Sequence, residues 1–141
     1  MTDTIVGGND APKPGRLVLL RHGQTAWSVS GQHTGRTDIP LTPAGEHQAI
    51  EAGVRLRESF PDGFAEGCVF ASPLRRARQT AALAGYGTHN VLPYIAEWDY
   101  GRAEGRTRGT VSQLLGRPWD LWRDGTESLP ATMDGERVET L

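Results

Sequence analysis

Leu17-Val-Leu-Leu-Arg-His-Gly-Gln-Thr-Ala-Trp-Ser28 is the stretch around which the rest of this 141-residue chain is arranged. Leu17, Val18, Leu19 and Leu20 form an unbroken apolar run. Such a run predicts a short strand buried on both faces, as in a parallel sheet covered by helices. The run stops at Arg21-His22-Gly23. Polar residues just past the carboxyl end of a buried strand stand where open α/β sheets hold their ligands. Gly23 lets the backbone turn sharply and come close to a bound group.

The residue types at this point suit phosphoryl transfer. A neutral imidazole nitrogen on His22 can attack phosphorus and form a covalent intermediate, splitting one hard step into two. Arg21 offers a planar, permanently charged fork to phosphoryl oxygens. Thr25 and Ser28 add hydroxyl donors in reach of the same group.

Downstream, helical and strand patterns alternate, which predicts an α/β fold. Thr42-Pro43 is a hydroxyl N-cap followed by proline at the first helical position. Ala49, Gly53, Leu56 and Phe60, widened by Ile50 and Val54, make the apolar stripe of that helix, and Pro61-Asp-Gly63 ends it. Cys68 to Ala71 reads as a second strand, with Cys68 as a small buried residue. Ser72-Pro73 repeats the capping device and opens a helix from Leu74 to about Ala84, its amino end directed at the pocket. Val91 to Ala96 reads as a third strand, with Pro93 marking an edge or irregular position. Glu97 follows it directly. A carboxyl group beside a covered pocket can be kept protonated and serve as a general acid. Val111 to Leu115 is a short helical piece. Trp119, Leu121 and Trp122 form an apolar patch over the core, and Met133 to Leu141 resembles the first half of a helix. His47 and His89 have no ligand-type neighbours and read as structural or exposed.

Residues 1–15, rich in glycine and proline, predict a flexible leader ahead of a domain over 16–141. With 15 basic and 17 acidic residues the net charge is −2, which gives no electrostatic case for nucleic acid. Arginines nevertheless cluster at Arg75, Arg76 and Arg78 and at Arg102, Arg106 and Arg108, so small anionic substrates fit. No apolar run approaches the roughly 20 residues of a membrane span. No secretory signal pattern opens the chain, so the expected location is the cytoplasm. Neither a carboxylate cluster nor Cys/His ligand spacing calls for a metal. The lone Gly85-Tyr-Gly87 is no cofactor loop.

The motif Leu20-Arg-His-Gly-Gln-Thr-Ala-Trp27 resembles the signature of the histidine phosphatase superfamily, also called phosphoglycerate-mutase-like. The likeness continues through Gly31 to Ala49, through Ala71-Ser-Pro-Leu-Arg-Arg-Ala-Arg-Gln-Thr-Ala81, and through Ala96-Glu-Trp-Asp-Tyr-Gly101, in the family's order. It implies a three-layer α/β/α fold with a mostly parallel sheet. It further implies that His22 is the nucleophile and Glu97 the acid and then the base. Arg21, Gln24, Thr25, Ser28, Thr34, Gly35 and Arg76 would bind phosphate or substrate, with Arg75 the alternative to Arg76. Asp99 and Tyr100 are candidates for hydrogen bonds near the acid. Arg36 stands where the family often has an aromatic residue, and its role stays open. No metal and no cofactor are implied, and the expected partner is a small phosphorylated metabolite.

The resemblance also implies a further strand ending in a second pocket histidine. The histidines here are His22, His33, His47 and His89, and none matches it. The expectation is a domain incomplete at its C-terminus, poorly soluble or weakly active, with C-terminal strands missing. The short segment from Glu97 to Trp119 favours an acid phosphatase over a mutase. A phosphoglycerate-mutase-type transfer is the alternative within the enzymes, and a non-catalytic phosphate-binding remnant is the alternative outside them.

Overall fold

The computed structural model describes residues 15–126 and 129–130. All but Gly15 of the expected leader, the Glu127-Ser128 pair and the expected helical tail over 133–141 lie outside the described residues.

The chain enters through 15–24 without regular structure, then turns into a short helix α1 (Ala26–Ser30). The long helix α2 (Pro43–Ser59) starts where the sequence places it: the Thr42 hydroxyl accepts the Gly45 N–H at 3.1 Å, and Pro43 supplies a ready-made helical φ. Glu46 in its first turn and Arg57 in its last suit the helix dipole. Its buried residues are Gly45, Ala49 and Gly53, all small, so the backbone can lie close to its neighbours. The wider stripe expected from Ile50 and Val54 is not buried: they are 46% and 43% exposed.

Strand β1 (Phe70–Ala71) pairs in parallel with β2 (Asn90–Val91), in the register Phe70 to Asn90 and Ala71 to Val91. Helix α3 (Arg75–Leu83) is the crossover that a parallel pair requires, and it packs on α2. The architecture is therefore α/β, with helices beside a small parallel sheet.

Several local expectations are corrected. Leu17 to Leu20 forms no strand; Leu17 is 85% and Leu19 84% exposed. The run has apolar character but no strand partner among the described residues, and extended backbone becomes sheet only when paired. Cys68 is exposed, because the strand is only two residues long and Cys68 lies in the turn ahead of it. The third strand stops at Val91, and a 3₁₀ turn (Pro93–Ile95) follows, since Pro93 has no N–H to give a ladder. Helix α3 is capped at Leu74 and not by Ser72; the Asp38 carboxylate accepts the Arg75 N–H at 2.6 Å instead.

The second half builds its own core. A 3₁₀ turn (Gly101–Ala103), α4 (Arg108–Leu115) and α5 (Leu121–Asp124) surround Ala103, Val111, Trp119 and Leu129, all 2% exposed or less. Trp119 is fully buried and its indole N–H donates to the Gly125 carbonyl at 3.0 Å, while Trp122 stays 79% exposed. This core reaches the site through His33. The His33 ring lies edge-on to Tyr100 and Trp119, 5.2 and 5.3 Å away, and its Nδ1 meets the Arg106 carbonyl at 2.7 Å.

Candidate active site

His22 sits half-buried at the end of the irregular entry segment. Its Nδ1 lies 2.8 Å from the carbonyl oxygen of Gly23. A carbonyl only accepts, so Nδ1 carries the proton and Nε2 keeps its lone pair. Burial pushes the His22 pKa down from the usual 6.5. The Gly23 bond works against that shift, Arg76 and Arg21 add to it, and Glu97 opposes it. The structure thus brings both arginines and Glu97 within electrostatic reach of one imidazole.

Gly23 fixes the imidazole in place. Its N–H donates to the Thr80 hydroxyl on α3 at 3.0 Å, and Thr80 donates in turn to the Arg76 carbonyl at 2.8 Å. On its other side Gly23 presses on the backbone of Gly45 in α2, where a Cβ would collide. Beside His22 an open cleft of about 250 Å³ is lined by Arg21, Gly23, Gln24, Ser28 and Gln48. Two carboxamides there have settled orientations: Gln48 accepts the Gln24 N–H at 2.9 Å, and Gln24 accepts the Thr42 hydroxyl at 2.8 Å. Both therefore keep their NH₂ groups for other acceptors.

Thr25 and Ser28 have prior commitments. They form the capping box of α1: the Thr25 hydroxyl accepts the Ser28 N–H at 3.1 Å, and the Ser28 hydroxyl takes the Thr25 N–H at 2.9 Å. Thr25 is fully buried, and of the two only Ser28 lines the cleft.

Arg76, on the first turn of α3, is 1% exposed. Its guanidinium donates to the carbonyls of Thr37 at 3.0 Å, Thr34 at 3.1 Å and Gly35 at 2.9 Å. Burial lowers its pKa, and Glu97, Asp38 and Glu104 raise it. The adjacent Arg75 is exposed, with its N–H held by Asp38, so of the two Arg76 is the one turned inward. Glu104 grips the same loop from the other side, accepting the Gly35 N–H at 2.8 and 3.0 Å and the Thr37 N–H at 3.0 Å.

Glu97 is exposed, not covered. Its carboxylate accepts the Trp98 N–H at 2.9 Å and, at 3.5 Å, the Tyr100 hydroxyl. Burial raises the Tyr100 pKa, and Glu97 adds to it. Arg36 pairs with Asp99 at 2.7 Å on the exposed side, joining the 34–37 loop to the segment that carries Glu97.

Thr80, Glu104 and Gln48 are site residues that sequence reasoning passed over. Thr80 stands one turn after Arg76, so it faces the same way on α3; that spacing was the available signal. Gln48 was legible in the same sense, on the first turns of α2. Nothing in the spacing of Glu104 forecasts its contact with a loop some 70 residues earlier.

Fold and cleft together define an α/β protein with Arg21 and His22 on an open cleft, and with buried Arg76 and exposed Glu97 within electrostatic reach of His22. The chain belongs to the histidine phosphatase superfamily (branch 1), whose family model matches residues 17–141. It is 45% identical over 110 residues to an acid phosphatase of Mycobacterium tuberculosis, covering 78% of this chain and 52% of that one. It is 36% identical over 128 residues to a 2,3-bisphosphoglycerate-dependent phosphoglycerate mutase of Bifidobacterium longum, covering 84% and 50%. Among solved structures it resembles an open reading frame product of Mycobacterium tuberculosis, with TM-score 0.65 and 41% identity over 74% of this chain and 52% of that one. The fold is thus phosphoglycerate-mutase-like, and the chain spans about half the length of the curated relatives it matches.

Proposed function

We propose that this chain carries the machinery to hydrolyse phosphate monoesters through a phosphohistidine on His22. The observation that carries the reading is the 2.8 Å contact from His22 Nδ1 to the Gly23 carbonyl, which leaves Nε2 as a free lone pair in the field of two arginines. Nε2 attacks phosphorus, and the bond from phosphorus to the leaving oxygen breaks with its electron pair on that oxygen. Glu97 gives that oxygen its proton. Water then attacks the phosphohistidine, its proton passes to the Glu97 carboxylate, and phosphate leaves with His22 neutral again.

Arg21 and Arg76 hold the phosphoryl oxygens. Three loop carbonyls occupy three of the five N–H groups of Arg76, which leaves Nε–H and one Nη1–H for the ligand. Gln24 and Ser28 line the cleft where the ester sits, Thr34 and Gly35 present the loop that closes over it, and Thr25 shapes the turn from beneath. The substrate is a small phosphorylated metabolite of the cytoplasm. The relative named acid phosphatase, at 45% identity, supports hydrolysis.

A mutase-type transfer back to a second hydroxyl has one specific support, the relative named phosphoglycerate mutase. Products decide between them: free phosphate from a phosphoglycerate means hydrolysis, and isomer interconversion means transfer. The reading itself is tested with p-nitrophenyl phosphate. Wild type releases phosphate and His22→Ala does not; equal release by both overturns it.

A further inference from the structure

We infer that Glu104 is a positioning residue for the phosphoryl site, acting on Arg76 through the peptide backbone of the 34–37 loop. The inference rests on the reading of Arg76 as a phosphoryl ligand. Among the described residues the Arg76 guanidinium is held by three carbonyls and by no carboxylate. Its aim is therefore only as fixed as those peptides are.

One peptide unit joins the two charged groups. The carbonyl of Thr34 accepts from Arg76 Nη2 at 3.1 Å, and the N–H of the same peptide, on Gly35, donates to Glu104 at 2.8 Å. In a planar trans peptide the C=O and N–H point in opposite directions. Arg76 and Glu104 thus pull on opposite ends of one rigid plate. The Thr37 residue is held in the same two-sided way, its N–H on Glu104 and its C=O on Arg76. A carboxylate on the N–H end polarises the peptide and strengthens its carbonyl as an acceptor. Rotating the Thr34–Gly35 peptide breaks a bond to each partner at once; at Thr37 the two bonds fall on successive peptides, which Glu104 and Arg76 hold one each.

The packing leaves the loop little freedom to find another arrangement. A Cβ on Gly35 would overlap the Trp98 carbonyl and come within 2.8 Å of the Glu104 carboxylate and 3.0 Å of the Tyr100 ring. Only a glycine lets the Thr34–Gly35 plate lie against Glu104 this closely. The exposed Arg36–Asp99 pair beside it is a surface contact and contributes little to this grip.

The test uses Glu104→Gln in the full chain, with two readouts: NMR of the Arg76 guanidinium N–H groups, and affinity for inorganic phosphate. Glutamine keeps the length and one oxygen that can still take both loop N–H groups, but it removes the negative charge and sets an NH₂ against the Gly35 N–H where Oε2 accepts it at 3.0 Å. The expected result is broadened or fast-exchanging Arg76 Nη signals together with about tenfold weaker phosphate binding. Arg36→Ala, which breaks only the surface pair, stays within about twofold of wild type. Unchanged phosphate affinity in Glu104→Gln overturns the inference, and so does weakened affinity with Arg76 signals unmoved. Should Glu104→Gln fail to fold, titration of wild type decides. Phosphate must shift the Gly35 and Thr37 amides together with Arg76; a shift confined to Arg76 overturns the link. No phosphate-induced shift at Arg76 at all instead refutes the phosphoryl-site reading, and the link to it falls as well.

Discussion

Thr80→Val isolates the contact that seats the nucleophile. Thr80 is 3% exposed, and its hydroxyl accepts the N–H of Gly23 at 3.0 Å. Valine has the same shape and no acceptor, so the substitution leaves the buried Gly23 N–H without a partner. Its loss of the bond to the Arg76 carbonyl matters less, because that carbonyl belongs to the helix ladder. Gly23 cannot move toward α2 to find water, since the Gly45 backbone blocks it. An unsatisfied buried donor costs about 1–3 kcal/mol. In a domain of this size that lowers Tm by about 4–12 °C. Activity falls further than stability, because His22 is bonded to the Gly23 carbonyl and moves with it. A displacement of about 1 Å at a reacting group can cost on the order of a hundredfold in rate. Thr80→Ser keeps the hydroxyl and loses one methyl, so its cost stays near 1 kcal/mol and its turnover close to wild type. The assay pairs thermal denaturation with phosphate release for both variants. Equal behaviour of the valine and serine variants would show that the Gly23 contact does not seat His22.

Two further outcomes are expected. Burial lowers the pKa of His22 from 6.5, so the nucleophile stays neutral to more acidic pH than a free histidine does. The acid limb of kcat/KM should therefore lie below pH 6.5, and a limb above it contradicts the burial argument. The linkage has the same sign: a histidine with a depressed folded pKa adds stability that is present above its unfolded value and is lost as pH falls through the folded one. Glu97→Gln should slow turnover most for esters with poor leaving groups, because those need the proton; equal slowing across a leaving-group series counts against the acid role.

What the sequence made legible was short-range. The N-cap at Thr42 with Pro43 and the start of α3 near Arg76 follow from local chemistry, and the structure has them. Arg21 and His22 line the cleft, and Arg76 and Glu97 lie close enough to shift the His22 titration. What failed was reading hydrophobicity as burial. Leu17 and Leu19 are as apolar as any strand interior, yet a strand needs a partner, and periodicity says nothing of who supplies it. Cys68 failed for the same reason, two residues ahead of the paired strand. Thr25 and Ser28 show the limit for hydroxyls. Three residues apart at a helix start, they satisfy each other as a capping box before any ligand arrives. Glu104 shows the limit for long-range contacts, since its partners at Gly35 and Thr37 lie 69 and 67 residues away.

The most direct measurement is rapid-quench labelling with a radiolabelled phosphate ester, followed by acid and base treatment of the denatured protein. The expected result is a base-stable, acid-labile phosphate on wild type that maps to the peptide containing His22 and is absent from His22→Ala. A folded wild-type chain that releases phosphate without ever carrying that label, or that carries it on another residue, contradicts the account.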